Sequence, residues 1–175
     1  LGDGDHGLGM KRGMEAVKEK LSEGGVETID KAFMSMGMAM MSSMGGASGA
    51  VFGTLFRSGG KALKGREAFD AGGLAEFLKA GNEGVMSRGG AKPGDKTMID
   101  ALAPAADKAA EVTGDNITTA LAAVAAAAAA GRDASKDMVA TMGRAKTLGE
   151  ASVGHPDAGA CSVAIILQAM ADYAA

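Results

Sequence analysis

The stretch MKRGMEAVKEKL, residues 10–21, gives the first clear indication of the fold of this chain. Its apolar residues Met10, Met14, Val17 and Leu21 recur at i, i+4, i+7 and i+11, and most positions between them are charged. Side chains with this spacing share one face of an α-helix, because a helix completes a turn in about 3.6 residues. The stretch therefore predicts an amphipathic helix whose apolar face packs against the rest of the protein.

Similar apolar stripes follow along most of the chain and predict further helices. Their marker residues are, in chain order, Ile29, Phe33, Met36 and Met40, then Val51 and Leu55, then Leu74, Leu78, Gly81 and Val85. Three more helices are predicted over residues 95–112, 118–131 and 159–173, and Pro104 should kink the first of them. About seven helices and no convincing strand alternation predict one all-α domain, residues 1–175, built as an antiparallel helical bundle or barrel.

Composition narrows the class of protein. Hydrophobic residues make up 47% and charged residues 22% of the 175 positions, a balance typical of a soluble globular domain. A net charge of −3, with the basic residues scattered, argues against nucleic acid as a partner. Cys161 is the sole cysteine, which excludes an internal disulfide and favours a reducing, cytoplasmic location; we expect a buried, inert thiol. No signal peptide and no apolar stretch long enough for a membrane span are evident.

The first unusual connection is Gly2-Asp3-Gly4-Asp5-His6-Gly7, directly before the first helix. Glycines allow a tight turn, so the carboxylates of Asp3 and Asp5 can reach one hard cation such as Mg²⁺. The start of the helix that follows offers N–H groups suited to phosphate. The alternative is that Asp5 simply caps this helix. His6 is expected to contact phosphate or to support the site.

The second connection is Gly45-Gly46-Ala47-Ser48-Gly49, which also leads into a helix. Small residues let the backbone approach an anion closely, and Ser48 adds a hydroxyl. The loop lacks the lysine of a Walker A motif, and it does not follow a strand as a dinucleotide-binding loop would.

Two later connections complete the set. In the third, residues 89–98, Pro93-Gly94 predicts a turn, Asp95 is placed to cap the next helix, and Met98 either packs in the core or lies against an adenine ring. The fourth, residues 143–159, is predicted to be a long structureless loop that supplies Arg144 as a phosphate ligand. No nucleophile–base pair or zinc motif is evident, so the chemistry indicated is the positioning of phosphates.

In order and spacing, these four connections resemble the dihydroxyacetone kinase L family. The matching motifs are residues 2–8, residues 45–49 with Phe52-Gly53-Thr54, residues 93–98, and residues 143–145 with Gly154-His155-Pro156-Asp157. The resemblance implies a barrel of eight antiparallel helices that holds ADP or ATP and two Mg²⁺ ions at one end. Because the sequence starts at Leu1, inside a motif and without an initiator methionine, we expect the first of these helices to be missing from it.

The resemblance also implies roles for individual residues. Asp3 and Asp5 would bind Mg²⁺, together with an aspartate expected upstream of Leu1. Phosphate contacts would fall to His6, Gly7, Leu8, Ala47 and Ser48, and adenine and ribose contacts to Gly89, Met98, Arg144, Asp157 and Gly159. Gly9 and Ala158 belong to the same cofactor-binding set, although the family commonly has Asn at the first position and Pro at the second. No catalytic nucleophile or base is implied in this chain.

The family acts in a complex, and the resemblance therefore implies partners. A dihydroxyacetone-binding kinase subunit would receive the γ-phosphoryl group, and a phosphohistidine phosphotransfer subunit would convert bound ADP to ATP in place. The histidine of the first motif favours this phosphotransferase-dependent branch. Alternatives are an ATP-dependent kinase of another small ketose, such as a tetrulose, and a non-catalytic nucleotide-binding regulatory module; a homodimer also stays open. A purely structural bundle would leave the glycine-rich loops unexplained.

Overall fold

In the computed structural model, which describes residues 1–2 and 4–175, the chain is helical and the described residues form no strand. The α-helices are α1 (His6–Ser22), α2 (Ile29–Ser43), α3 (Gly46–Ala62), α4 (Ala71–Gly89), α5 (Ile99–Glu111), α6 (Ile117–Ala134) and α7 (Ala158–Ala174). Two 3-10 segments, Ser135–Asp137 and Arg144–Ser152, lie between α6 and α7. The predicted all-α class is confirmed. None of the helices described here is both long and apolar enough to cross a membrane.

Consecutive helices pack against each other, and α7 also contacts α1 and α5, which closes the ring. Neighbouring helices joined directly by loops run in alternating directions. The N-termini of α1, α3, α5 and α7 therefore lie at one end of the barrel together with the C-termini of α2 and α4. We call this the upper end, and the opposite end the lower end.

The apolar stripes contribute much of the core, although in the α1 stripe only Val17 is buried, and Met14 and Leu21 are 38% and 36% exposed. Met40 and Met98 are 0% and 4% exposed and fill part of the interior. Four phenylalanines pack together toward the lower end, where Phe33 of α2 lies 4.5 Å from Phe77 of α4 between ring centroids. Phe69, in the loop before α4, lies 5.2 Å from Phe33, and Phe56 of α3 joins the same group. We call these four residues the aromatic cluster.

The fifth helix differs from the prediction at its start. It begins at Ile99 and not at Asp95, and it runs on through Pro104. Asp95 does not cap it, because its carboxylate accepts a hydrogen bond from the backbone N–H of Lys92 at 2.9 Å. Lys96 has a φ of 57°, so the chain is in the left-handed region and cannot be helical at this position.

The fourth connection was also predicted incorrectly as structureless. Residues 144–152 form 3-10 turns that are interrupted at Gly149, where φ is 48°. Such turns satisfy backbone groups locally, which lets this segment keep a defined path over the upper end.

Two glycines set the distance between α2 and α3. A Cβ atom on Gly37 would lie 2.6 Å from the carbonyl oxygen of Gly53 and 2.9 Å from the backbone nitrogen of Arg57. A Cβ on Gly53 would in turn lie 2.8 Å from the carbonyl oxygen of Gly37. The two backbones therefore approach more closely than any larger residue would allow.

We expect Gly37→Ala to lower the free energy of unfolding by about 1–3 kcal/mol, because the new methyl group meets rigid backbone atoms of α3. Helix propensity alone would raise the free energy of unfolding, since alanine is favoured over glycine inside a helix by about 1 kcal/mol. Urea denaturation followed by circular dichroism measures the change. Gly72→Ala is the control, because the nearest atom to its Cβ, at 3.2 Å, is the end of the long Arg66 side chain and not a backbone atom. Equal or greater stability of Gly37→Ala would contradict the proposed close approach.

Candidate functional site

A cavity of about 410 Å³ opens at the upper end of the barrel. Its walls come from the N-terminal turns of α1, α3, α5 and α7, the C-terminal residues of α2 and α4, and the segment around Arg144. This volume lies in the range that small-molecule and cofactor sites occupy. The alternation of helix direction thus brings four separate parts of the sequence to one site.

The N-termini of α1 and α3 lack side-chain caps. Asp5 occupies the N-cap position of α1 without making a capping hydrogen bond, and Gly45, the N-cap of α3, has no side chain. Among the other helices, Asp70 caps α4 and Asn116 caps α6, accepting bonds of 2.7 and 2.9 Å, whereas Thr28 makes no capping bond at the start of α2. The alternative in which Asp5 simply caps α1 is therefore wrong. The first N–H groups of α1 and α3 lack a capping side chain at the cavity wall, where an anion can bind them.

His6 links three of these helix starts. Its Nε2 lies 2.9 Å from the hydroxyl of Ser162 on α7, and its Nδ1 lies 3.4 Å from the hydroxyl of Ser48 on α3. Partial burial lowers the pKa of His6. The neutral imidazole, which has one donor and one acceptor nitrogen, is thereby favoured between the two hydroxyls. His6 fixes the positions of α1, α3 and α7 relative to one another.

Asp157 begins α7 beside the cavity. Its carboxylate caps the helix by accepting a bond of 2.8 Å from the N–H of Ala160, and its own N–H donates to the hydroxyl of Ser135 at 2.9 Å. Burial raises the pKa of Asp157. Gly159 lies against Met98, since a Cβ there would be 3.1 Å from that of Met98. Met98 therefore packs in the core, as the first alternative predicted, and also lines the cavity; its contact with an adenine ring stays a prediction.

Most residues predicted for the site line this one cavity. They are Asp5, His6, Gly9, Ala47, Ser48, Gly89, Met98, Arg144, Asp157, Ala158 and Gly159. Gly7 and Leu8 lie in the first turn of α1 but not in the cavity wall, and Leu8 is 62% exposed. Asp3 lies outside the described residues. Among the residues that are described, no group of three His, Cys, Asp or Glu side chains could hold a metal ion.

The cavity wall also contains residues that the sequence analysis missed, among them Arg12, Lys96 and Met142. Arg12 donates a hydrogen bond of 3.3 Å to the carbonyl of Met44 at the end of α2. Arg12 could have been predicted from its spacing. Asp5, Gly9 and Arg12 lie at i, i+4 and i+7, so they share one face of α1. Met142 had no such signal, since it lies in an irregular segment.

Cys161 is a residue of α7 near this site. Its thiol is partly buried, and this burial raises its pKa. Because the thiolate is the reactive form, the thiol is held in its unreactive state, in keeping with the inert role predicted for it.

Fold and site together define a helical barrel with an anion-suited cavity at the N-terminal ends of alternate helices. The DAK2 domain profile matches residues 1–172, and the chain belongs to this family. The resemblance seen in the four motifs is thereby confirmed.

Relatives with assigned functions cover nearly the whole chain. It is 39% identical to the ADP-binding subunit DhaL of the PEP-dependent dihydroxyacetone kinase of Escherichia coli (strain K12), over 98% of this chain and 82% of that protein. It is 40% identical to the ADP-binding subunit of PEP-dependent dihydroxyacetone kinase 1 of Listeria innocua, over 97% of this chain and 81% of that protein. The dihydroxyacetone kinase of C. freundii, solved in complex with AMP-PNP and Mg²⁺, superimposes with a TM-score of 0.74 at 27% identity. That superposition covers 99% of this chain but 29% of the kinase chain.

Ser135→Ala should lower the free energy of unfolding by about 1–3 kcal/mol, because it leaves the N–H of Asp157 without its partner beneath the cavity wall. Ser135 is 0% exposed, and its hydroxyl also donates to the carbonyl of Arg132 at 2.6 Å. Chemical denaturation measures the loss. Ser42→Ala is the matched control, since this exposed hydroxyl bonds only a carbonyl of its own helix, and a change below about 0.5 kcal/mol is expected. Equal effects of the two substitutions would show that the Ser135 contact does not hold Asp157.

Proposed function

We propose that this chain, as a single domain of residues 1–175, is the nucleotide-binding subunit of a dihydroxyacetone kinase. It holds ADP or ATP with Mg²⁺ and presents the γ-phosphoryl group to dihydroxyacetone bound on a partner subunit. The observation that carries the proposal is the cavity at which the uncapped N-termini of α1 and α3 meet two arginines. The names of the E. coli and Listeria relatives support the same function.

The phosphate part of the nucleotide is matched by the positive charge of the site. The helix N-termini carry partial positive charge on N–H groups aimed at the cavity. Arg12 and Arg144 contribute guanidinium groups to the same wall, and these suit phosphate oxygens in a two-pronged geometry. His6, Ala47 and Ser48 would complete the phosphate contacts, with Gly7 and Leu8 offering the backbone of the first turn of α1.

Magnesium fits the donors at the start of α1. Mg²⁺ prefers a few carboxylates together with phosphate oxygens and retained water, and it does not need a complete protein cage. Asp5 lies in the cavity wall beside the proposed phosphate site. Together with Asp3, two positions before it in the sequence, Asp5 would hold two ions; when bound, they would neutralise charge on the phosphates.

The nucleoside part suits the remaining wall. Gly89 and Gly159 both line the cavity, where the lack of a side chain on Gly89 leaves backbone open to a flat ring, and Met98, packed against Gly159, provides a polarisable apolar surface. Asp157 is the N-cap of α7 and Ala158 its first residue, and their carboxylate and backbone groups can contact ribose hydroxyls. Gly9 keeps the wall of α1 free of a side chain.

The sequence of this chain offers no motif for a nucleophile or general base, in keeping with a subunit that positions phosphates while its partners react. A dihydroxyacetone-binding subunit would accept the γ-phosphoryl group. A phosphohistidine phosphotransfer subunit would restore ATP from bound ADP without release of the nucleotide. We place this assembly in the cytoplasm, where the single free thiol is stable.

The first experiment is extraction of nucleotide with denaturant from protein purified in magnesium buffer and then dialysed. ADP recovered near one equivalent per chain would support a retained coenzyme and the phosphotransferase-dependent branch. An empty protein that binds added MgATP would instead indicate an exchanging, ATP-dependent kinase. Failure to bind either nucleotide would overturn the proposal.

Asp3→Asn combined with Asp5→Asn should abolish retention of ADP while leaving helical content unchanged, because the amides cannot neutralise Mg²⁺. Titration calorimetry with ADP in magnesium buffer measures the loss, and circular dichroism checks the fold. The charge-matched control is Asp107→Asn combined with Asp115→Asn, two exposed carboxylates away from the cavity. Unchanged ADP affinity in the Asp3/Asp5 variant would remove the metal site from the proposal.

A further inference from the structure

Lys96 is a buried lysine with no role in the function proposed so far. Its side chain is almost fully enclosed, with the residue 1% exposed. The ammonium donates two hydrogen bonds, to the carbonyl of Met138 at 2.9 Å and to the carbonyl of Ser152 at 2.7 Å. Lysine is seldom buried in this way unless its charge is satisfied, because removing an ammonium from water is costly.

The turn before α5 is built to send this side chain inward. Asp100 accepts bonds from the N–H groups of Gly94 at 2.6 Å and Thr97 at 2.7 Å, and so holds the turn from both sides. Lys96 lies between them with a φ of 57°, a conformation that side-chain-bearing residues rarely adopt. Strain of this kind persists where surrounding contacts impose it, and it points to a local role.

The two carbonyls bound by Lys96 lie on either side of the segment that carries Arg144. Met138 precedes the 3-10 turns, and Ser152 ends them. The hydroxyl of Ser152 also holds the two ends of this segment together. It accepts a hydrogen bond from the N–H of Ala140 at 2.9 Å and donates one to the carbonyl of Gly149 at 2.6 Å. Residues 138–152, which we call the Arg144 loop, are thus gathered at their base around one ammonium group.

We propose that Lys96 is a positioning residue: its ammonium clamps the base of the Arg144 loop and so holds Arg144 at the nucleotide cavity. The inference rests on the proposed function, since it assigns Arg144 to the nucleotide. A second contact of the same loop supports it, because Thr141 bonds the carboxylate of Asp95 through its hydroxyl at 3.0 Å. The turn before α5 and the Arg144 loop therefore act as one unit at the cavity wall.

The charge of Lys96 is part of this clamp. Burial lowers the pKa of its ammonium, whereas the carboxylates of Asp157 and Asp137 act in the opposite direction. The ammonium donates charge-assisted hydrogen bonds to two carbonyl oxygens, and such bonds are stronger than those that a neutral amide donates. Lys96→Gln, which keeps a donor but no charge, should therefore restore little of what Lys96→Met loses, and Lys96→Arg should restore more.

The test compares the full chain with Lys96→Met in ADP titrations in magnesium buffer, with hydrogen exchange of residues 138–152 as a second measurement. We expect ADP binding to weaken roughly tenfold or more, and exchange to quicken in the Arg144 loop but not in α2 and α3. Lys92→Met, an exposed lysine of the same turn outside the cavity wall, should behave as wild type. Unchanged ADP affinity and unchanged loop exchange in Lys96→Met would overturn the inference.

A double-mutant cycle with Arg144→Ala separates positioning from general stability. If Lys96 acts through Arg144, the double variant binds ADP about as weakly as the weaker single variant; fully additive losses would overturn the proposal. Should Lys96→Met fail to fold, Ser152→Ala, which removes a contact at the base of the Arg144 loop, replaces it in the double-mutant cycle with Arg144→Ala. Wild-type protein that binds no ADP would overturn the proposed function itself, whereas wild-type binding with an unaffected Lys96→Met would falsify the positioning role alone.

Discussion

Alternating helix direction is the constraint on which the upper end of this molecule depends. Each helix returns along its neighbour, so α1, α3, α5 and α7 all begin at the same end of the barrel. Helix starts carry unsatisfied N–H groups, and those of α1 and α3 have no capping side chain at the cavity. Together with Arg12 and Arg144, these helix starts supply N–H donors and positive charge to one cavity wall, although the net charge of the chain is −3. A protein that is acidic overall can in this way offer an anion site.

Much of the fold could be predicted from the sequence, because helix faces are local. The stripe from Met10 to Leu21 and the later ones require only the periodicity of a helix, and all of them became helices. The start of α5 was misplaced, since Asp95 has the residue type of an N-cap but is used inside the preceding turn. Whether such a carboxylate caps a helix depends on which N–H groups reach it, and spacing alone does not decide this.

The site was predictable to the extent that its motifs are local. Glycine-rich turns before helices identified the walls from α1, α3 and α7, and residues from all of these now line one cavity. Lys96 was missed because its partners lie 42 and 56 positions further along the chain. Arg12 was missed although its position on the Asp5 face of α1 could have been recognised. Contacts between residues far apart in the sequence produce no periodic pattern in it. The polar network beneath the Arg144 loop could therefore be identified only from the structure.

The aromatic cluster has a consequence for how the molecule distributes its stability. Phe33 and Phe77 close the lower end with a dense apolar contact, whereas the upper end is made of glycine-rich turns and a loop tied by polar bonds. Local opening begins where apolar contacts are few, so thermal fluctuation will be concentrated at the end that receives the ligand. A bound nucleotide would then supply the cohesion that the upper end lacks, and the melting temperature of the whole chain would report the occupancy of its site.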